Sequence, residues 1–463
     1  MDGRARRAGQ WLSARIPEFL LILLGVALRV SMRWRFNLTR GYDGPEHWRY
    51  VDWIVQHRSL PRADALIEAF HPPLFYAVAA WLTSHGVSPR GVLWVPISAG
   101  IVRLLLGWIC LEWYIGSRSA RLGALALAAV LPVSVHIDGM LYPEPLSGMF
   151  AMGAILLIPR AFQRVGRSRL AYTTAIGILL ALELLTKISA LVIVAAVGLV
   201  AVLESALAPG IRARDRLQRL LPWAMIVVVP ALLTGWYFRR NVRDVGQPFP
   251  TSFDLSTQYG VVSDLLAVPY RKRRSLDFFI GWEPRIYEFP YYPTGLKPHP
   301  HFFPVLVAST FVDYWNFSFS GIDPAQRSGL SANRRPLTPR LLAFSRGSVI
   351  GGTLIALAST IAFVASLVRA LGRRNFGHLS PLVITMVTVA SGLHFAIKYP
   401  RDDFGVIKAS YLLFGCAPLL AMFGLAVAWA TKSRLRQPLL VVLLGALGAV
   451  AAYTLYCRFP SRM

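Results

Sequence analysis

The sequence predicts an all-α protein that crosses a membrane about eleven times and carries two large loops on the outer side. The first observation is its composition: 55% of the residues are hydrophobic and 16% are charged, whereas a soluble chain carries roughly a quarter of its residues as charges. The second is that the apolar residues form blocks of about 18 to 24 residues, the helix length that spans ~30 Å of hydrocarbon. Backbone polar groups must be satisfied within such a block in lipid, so each block is predicted to be a helix.

The third observation is the order of apolar blocks and basic clusters. The predicted spans lie at about 17–35, 91–115, 121–138, 145–162, 169–187, 188–206, 219–238, 347–370, 379–397, 409–430 and 437–457. Basic clusters occupy alternate connections, as in cytoplasmic loops, with members such as Arg4, Arg6, Arg118, Arg164, Arg214, Arg373 and Arg434. This parity predicts a plasma (inner) membrane protein with its N-terminus in the cytoplasm and its C-terminus outside.

The alternation of the basic clusters also places the two long connections outside the cytoplasm. The chain is therefore predicted to have three parts. Residues 1–238 form an N-terminal transmembrane module that includes a first outer loop at 36–90, residues 239–346 form an extracytoplasmic region, and residues 347–463 form the C-terminal helices. In the first loop, HPPLFYAVAAWLTSH is apolar over only about 14 residues, which suits an interfacial or re-entrant helix.

The formal charge of +26 does not predict a nucleic-acid partner. The basic residues sit in short clusters between apolar blocks, where membrane lipids are the expected partners. The three cysteines, Cys110, Cys416 and Cys457, match neither a disulfide framework nor a metal site. No cofactor is predicted, and a divalent metal is not indicated but stays open.

Ionisable residues that are unusual for a membrane protein gather at the predicted outer face. They are Asp43, Glu46, His47, Glu68, His71, His136, Asp138, Glu144, Lys187, Arg239, Arg240, Arg243, Lys398, Arg401 and Lys408. Acids and bases collected at one membrane face predict an enzyme that works there. The alternative class, a transporter or flippase, places its ionisable groups near the midplane and often shows inverted repeats, which this sequence lacks.

The strongest local signal is GYDGPEHWRY, residues 41–50, directly after the first predicted span. Asp43, in a Gly/Pro turn near the interface, suits a general base acting on a hydroxyl. The alternative, which spacing alone favours, is the N-cap of a helix that starts near Pro45. The segment EAFHPPLFY, residues 68–76, also allows two interpretations. His71 either points back at the loop or is a solvated residue at a helix start.

Lys187 interrupts an apolar run, where an unpaired ammonium is costly. Either it binds an anion such as a phosphate, or it pairs with Glu183 at the (i, i+4) spacing of a helix.

The segment YDGPEHWRYVDWIVQHRSLP followed by EAFHPPLFY resembles the first outer loop of GT-C membrane glycosyltransferases. Within that superfamily it is similar to the branch of protein O-mannosyltransferases and of the aminoarabinose transferases that act on lipid A. Asp43, His47, Tyr50 and the run 71–74 occupy the matching positions. HIDGMLYPEPLSGMF, LLTKIS, GWYFRRNVRDVGQPFP and KASYLLFGCAPLL resemble later motifs of the family, in the same order. One departure is Gly44, which replaces the usual second acid and weighs against a two-carboxylate or metal-assisted scheme.

The resemblance implies an inverting glycosyltransferase that takes a monosaccharide, a hexose or a pentose, from a polyprenyl-phosphate donor. The acceptor would be a hydroxyl on a lipid, a glycan or a protein outside the cytoplasm, and a protein O-mannosyltransferase is the alternative that differs in its acceptor. Asp43 and Glu46 would then be catalytic. The candidates for substrate binding are His47, Tyr50, Glu68, His71, Asp138, Glu144, Lys187, Arg239, Arg240, Lys398 and Arg401. Lys187 is the first choice for the donor phosphate, whose charge grows as it leaves.

Overall fold

The computed structural model describes residues 2–34, 36, 41–207, 213–255, 268–291, 301–314, 338–400 and 406–458, and these contain helices and no strands. The helices are α1 (Asp2–Met32), α2 (Gly44–His57), α3 (Leu74–Ser84), α4 (Pro89–Val92), α5 (Trp94–Tyr114), α6 (Arg118–Val130), α7 (Pro132–Asp138), α8 (Glu144–Phe162), α9 (Gly166–Leu184), α10 (Ala190–Ala206), α11 (Ala213–Leu220), α12 (Met225–Val245), α13 (Ser252–Leu255), α14 (Leu276–Ile280), α15 (Arg285–Glu288), α16 (Phe302–Phe311), α17 (Pro339–Gly372), α18 (Phe376–Lys398), α19 (Leu413–Cys416), α20 (Pro418–Ala430) and α21 (Gln437–Arg458). Short 3-10 turns lie at Leu221–Ala224, Tyr270–Lys272, Ala409–Leu412 and Arg434–Arg436.

Within these described residues, six helical stretches are long and apolar enough to cross a membrane. They are Pro89–Tyr114, Glu144–Phe162, Arg216–Val245, Pro339–Gly372, Phe376–Lys398 and Arg434–Cys457. Two bent pairs, Arg118–Asp138 and Ala409–Ala430, raise the number to eight if each pair is one span. The protein is therefore a multi-pass membrane protein. Each predicted block falls on helix, but the predicted count of eleven spans is not confirmed.

The two bends have the same cause. The α6–α7 pair bends by 48° at Pro132, and the pair that ends in α20 bends by 71° at Pro418. A proline lacks the N–H that a continuing helix needs, and its ring clashes with the carbonyl one turn earlier. In both pairs, the second helix therefore begins at a proline and leaves in a new direction.

Small residues bring the helices of the bundle close together. A Cβ added at Gly424 on α20 would lie 2.0 Å from the carbonyl oxygen of Ala120 on α6, and one at Gly351 on α17 would lie 2.6 Å from that of Ala446 on α21. Because lipid provides no hydrophobic drive between helices, such close backbone packing is what holds them together. A separate buried cluster, with Tyr50, Val51, Phe75 and Tyr76, joins α2 to α3 and makes this part of the chain a packed unit.

Candidate functional site

Asp43 is the residue before α2, and its backbone is in the left-handed region with φ 50° and ψ 23°. The side chain is exposed and makes no hydrogen bond to the N–H groups that open the helix. Aspartate and asparagine enter this region more readily than most other residues, and such backbone positions concentrate at functional sites. The side chain of Asp43 therefore does not cap α2, and its carboxylate is exposed.

The other predicted residues of α2 are buried and engaged. Glu46 forms an ion pair with Arg49, with Oε2 2.8 Å from Nη1. His47 is fully buried, and its Nδ1 lies 2.8 Å from the hydroxyl oxygen of Tyr76. The hydroxyl of Tyr50 donates to the carbonyl oxygen of His71 at 3.4 Å. This helix therefore supports the turn that carries His71.

The turn at His71 is held by its main chain. Its carbonyl oxygen also accepts a hydrogen bond from the hydroxyl of Tyr237, at 3.1 Å. Three residues on, the N–H of Leu74 donates to the carbonyl oxygen of Leu185 at 2.7 Å. The turn before α3 is thereby tied to the turn after α9, which carries Lys187.

The side chains of Glu68 and His71 form a pair, with Glu68 Oε2 3.1 Å from His71 Nε2. The same carboxylate oxygen lies 4.0 Å from His47 Nδ1. Burial raises the pKa of Glu68 to about 7 and lowers the pKa of His47 to about 4 and that of His71 to about 3. Both histidines are therefore neutral near pH 7.

Lys187 forms an ion pair with Glu144 at the start of α8. The alternative (i, i+4) pairing with Glu183 is not formed, because α9 ends at Leu184 and Lys187 lies outside the regular helix. The carboxylate of Glu183 instead accepts hydrogen bonds from Ser189 at 3.1 Å and from Ser147 at 3.4 Å. The charge of Lys187 is thus already balanced by a buried acid.

Lys408 brings a second cation to the same place. It is 9% exposed, and its ammonium lies 4.7 Å from the ring centre of Tyr42 and 5.5 Å from that of Tyr411. Burial opposes its charge, but Tyr411, Asp43 and Glu144 outweigh burial and raise its pKa. In the part of the chain that the structure describes, no carboxylate lies within ion-pair distance of Lys408.

Asp138, a predicted substrate-binding residue, lies in a buried ion-pair network. Its carboxylate is 2.8 Å from Arg29 Nε and 2.8 Å from Arg103 Nη2, and the residue has no exposed surface. A Cβ at Gly100 would lie 2.2 Å from the Asp138 carboxylate, so this glycine leaves room for the acid. Arg103 thereby finds the partner that a charge inside a span requires.

The remaining predicted cations serve other segments. Arg239 is exposed. Arg240 donates to the carbonyl oxygens of Pro61 and Leu60 and forms an ion pair with Asp244. Lys398 Nζ lies 3.4 Å from Asp254 Oδ1. Arg401 lies outside the described residues. Arg240 therefore holds the segment around Pro61. Among the residues that the structure describes, neither Arg240 nor Lys398 contacts Asp43, Lys187 or Lys408.

Sequence reasoning missed Asp313, a buried acid in the segment after α16. Burial, followed by the charge of Asp313, raises the pKa of Tyr42 well above its ordinary value, which puts this acid beside the turn that holds Asp43. An acid within the aromatic run STFVDYWN was the available signal. Among the residues that the structure describes, no group of three or more His, Cys, Asp or Glu side chains is arranged to hold a metal ion.

A largely apolar cavity of about 900 Å³ lies in the helix bundle, beside the cluster formed by Asp43, Lys187 and Lys408. Leu104, Trp108, Ile155 and Met386 are typical of its walls, and Ala409, next to Lys408, also borders it. The polar residues that line it include Arg29, Arg103 and Ser134. The charged cluster and the apolar cavity are therefore neighbours.

No protein-family model and no curated protein sequence matches the chain, but solved structures do. The oligosaccharyltransferase of Archaeoglobus fulgidus tethered with an acceptor peptide is 14% identical with a TM-score of 0.57, covering 97% of this chain and 56% of that one. The oligosaccharyltransferase AglB of the same organism, in complex with an inhibitory peptide and a dolichol-phosphate, is 12% identical with a TM-score of 0.51, covering 96% and 56%.

The chain thus spans about 56% of the length of the oligosaccharyltransferase that it resembles. ArnT of Cupriavidus metallidurans bound to undecaprenyl phosphate gives a TM-score of 0.40 at 13% identity, covering 96% of this chain and 78% of that one, and adds nothing to the assignment. This chain has the fold of the GT-C superfamily of membrane glycosyltransferases.

Proposed function

We propose that the protein is an inverting glycosyltransferase that moves a monosaccharide from a polyprenyl-phosphate donor to an acceptor hydroxyl on the extracytoplasmic face. One observation carries the proposal: an exposed carboxylate, Asp43, and two lysines, Lys187 and Lys408, meet in one cluster. Asp43 influences the pKa of Lys408, and both lysines contact the ring of Tyr411. The reaction needs these two elements, a base for the acceptor and positive charge for the departing phosphate.

Asp43 is the base in this scheme. The acceptor hydroxyl gives its proton to the Asp43 carboxylate while its oxygen attacks the anomeric carbon, and the bond to the phosphate oxygen breaks on the opposite side. A single displacement inverts the anomeric carbon and requires one carboxylate. Glu46 is engaged by Arg49, so Asp43 carries the role without a second acid.

Lys408 is the better contact for the donor phosphate. An ammonium with no carboxylate partner among the described residues has its charge available for an incoming anion, and a charge-assisted hydrogen bond to phosphate is stronger than a neutral one. The ammonium of Lys187 is occupied by Glu144. Lys187 therefore adds positive potential and positions Glu144, while Lys408 meets the phosphate.

Two further observations support a lipid-linked donor. The apolar cavity of about 900 Å³ borders the cluster at Ala409 and offers room for part of a hydrocarbon chain. A protein with this fold, AglB, has been solved with a dolichol-phosphate. By analogy, the donor of this chain is a polyprenyl phosphate, and the acceptor is a lipid, a glycan or a protein that reaches the outer face.

The test is a transfer assay with the full chain in lipid nanodiscs. Polyprenyl phosphates carrying radiolabelled hexoses or pentoses are supplied one at a time with an envelope extract as acceptor, and both labelled product and released polyprenyl phosphate are measured. At least one donor should give product with the wild type and none with Asp43→Asn. If the wild type uses none of the donors, or Asp43→Asn matches it, the proposed function is wrong.

A further inference from the structure

Glu68 and His71 form a pair whose purpose the steps above do not explain. We propose that Glu68 is a positioning residue that fixes the tautomer of His71, so that His71 Nδ1 accepts a hydrogen bond from a hydroxyl of the transferred sugar. The sugar in this statement rests on the proposed function. The tautomer itself is a property of the chain and is measured without substrate.

The geometry leaves the ring of His71 little freedom. Its Nε2 faces Glu68 Oε2 at 3.1 Å. Its carbonyl oxygen is held by the hydroxyls of Tyr50 and Tyr237, at 3.4 and 3.1 Å. The two hydroxyls hold the main chain of the turn, and the contact with Glu68 holds Nε2 of the ring.

One nitrogen of His71 is left for a ligand. Within the described residues no hydrogen bond reaches Nδ1, and the side chain keeps 12% of its surface exposed. The pKa of His71 responds to the charges of Lys187, Glu144 and Asp43, which are the charged groups of the candidate site. Nδ1 is therefore the atom of the Glu68–His71 dyad that a substrate in this site can contact.

The dyad has two states that differ by one proton. With Glu68 ionised, the proposed tautomer of His71 carries its proton on Nε2, 3.1 Å from Oε2, and Nδ1 presents a lone pair. When a proton arrives from solution, it binds Nδ1, and the proton of Nε2 passes to Glu68, whose O–H then donates to Nε2. His71 is neutral in both states, because burial lowers its pKa to about 3.

The charged and titratable groups around the dyad set the pH of this change. Glu68 faces His47 on α2, and the charges of Asp43, Lys408 and Glu144 also act on it. Burial dominates these effects and raises the pKa of Glu68 to about 7. Since the raised pKa belongs to a carboxyl group, the state with a lone pair on Nδ1 prevails above pH 7 and is lost below it.

The first experiment observes the tautomer directly. The full chain in nanodiscs is labelled with ¹⁵N-histidine, and the His71 signals are identified by their absence in His71→Asn. The Nδ1 signal should be of the unprotonated type at pH 8.5 and of the protonated type at pH 5.5, and Glu68→Gln should remove this change. A wild-type Nδ1 signal of the same type at both pH values overturns the dyad, whatever the protein catalyses.

The second experiment measures kcat and KM against pH with the donor found in the transfer assay. Wild-type kcat/KM should fall below about pH 7, and in Glu68→Gln this inflection should vanish, with KM for the donor raised roughly 2- to 12-fold, as expected for one neutral hydrogen bond. Asp64→Asn, an exposed acid of the same loop, is the control and should keep the wild-type profile. An unchanged inflection in Glu68→Gln overturns the role in recognition. If the wild type transfers no sugar, that role falls with the proposed function, while the tautomer result stands by itself.

Discussion

The ammonium groups of Lys187 and Lys408 approach the same aromatic ring, that of Tyr411, with distances of 4.7 and 5.5 Å to its centre. The two lysines differ in what else they touch. Lys187 is paired with Glu144, while Lys408 has no carboxylate partner among the described residues. Two cations beside one ring therefore have separable roles, and the first two predictions separate them.

We expect Lys408→Met to weaken donor binding by roughly 10- to 150-fold, because a charge-assisted contact contributes ~1.5–3 kcal/mol. Binding of polyprenyl phosphate to the purified variant in nanodiscs measures the effect, and thermal unfolding should be nearly unchanged. Lys432→Met, an exposed lysine at the other end of the bundle, is the matched control. Wild-type affinity in Lys408→Met would exclude a phosphate contact for this lysine.

Lys187→Met should act mainly on stability. It leaves the buried carboxylate of Glu144 without its partner, and breaking a buried pair from one side costs about 3–5 kcal/mol. Its melting temperature should fall, and the double variant with Glu144→Gln should recover most of the loss. If Lys187→Met keeps its melting temperature yet loses donor binding, the ammonium of Lys187 meets the phosphate as the sequence suggested.

Asp43→Asn should abolish transfer while donor binding persists. A positioned general base contributes ~10²–10⁴-fold, and asparagine cannot take the proton. Asparagine also adopts the left-handed backbone of this position, so the turn should survive. The rate of transfer at saturating donor is the measurement, with Glu46→Gln expected to have the smaller effect. Near-normal turnover in Asp43→Asn would move the base to Glu46 or Glu68.

Asp138→Asn should destabilise the protein without a specific effect on donor affinity. The substitution leaves Arg29 and Arg103 buried without a counter-charge, which costs roughly 3–5 kcal/mol. Thermal unfolding and expression level measure the loss, and Asp64→Asn on the surface should stay within about 0.5 kcal/mol of the wild type. A stable Asp138→Asn variant that binds no donor would return Asp138 to the substrate site.

Membrane orientation is tested by single cysteines in a chain whose Cys110, Cys416 and Cys457 are replaced by alanine. Cysteines at Ser59 and Ser275 should react with a membrane-impermeant thiol reagent added to intact cells, because both positions lie on predicted outer loops. Cysteines at Ser168 and Ser433 should react only after the membrane is opened. Labelling of Ser168 in intact cells would reverse the outer-face assignment.

The fold was predictable from sequence because each apolar block is a local property, set by length and composition. The site was predictable only in part, because its contacts are not local. Glu144 is 43 residues from Lys187, and the (i, i+4) rule that suggested Glu183 fails since the helix ends at Leu184. Likewise, no pattern near Asp138 reveals that Arg29 and Arg103 converge on it. The order of motifs along the chain singled out Asp43 as a candidate, whereas the left-handed backbone of Asp43 is visible only in the three-dimensional structure.

The hydrogen bond between the main chains of Leu74 and Leu185 has a consequence for how such a site can evolve. It ties the turn of His71 to the turn of Lys187 through atoms that almost every amino acid possesses. Replacing any side chain in either turn, proline at position 74 excepted, leaves this link available. Descendants of this protein can therefore exchange residues in both turns, and with them the ligand that the site recognises, while inheriting the spacing between the turns unchanged.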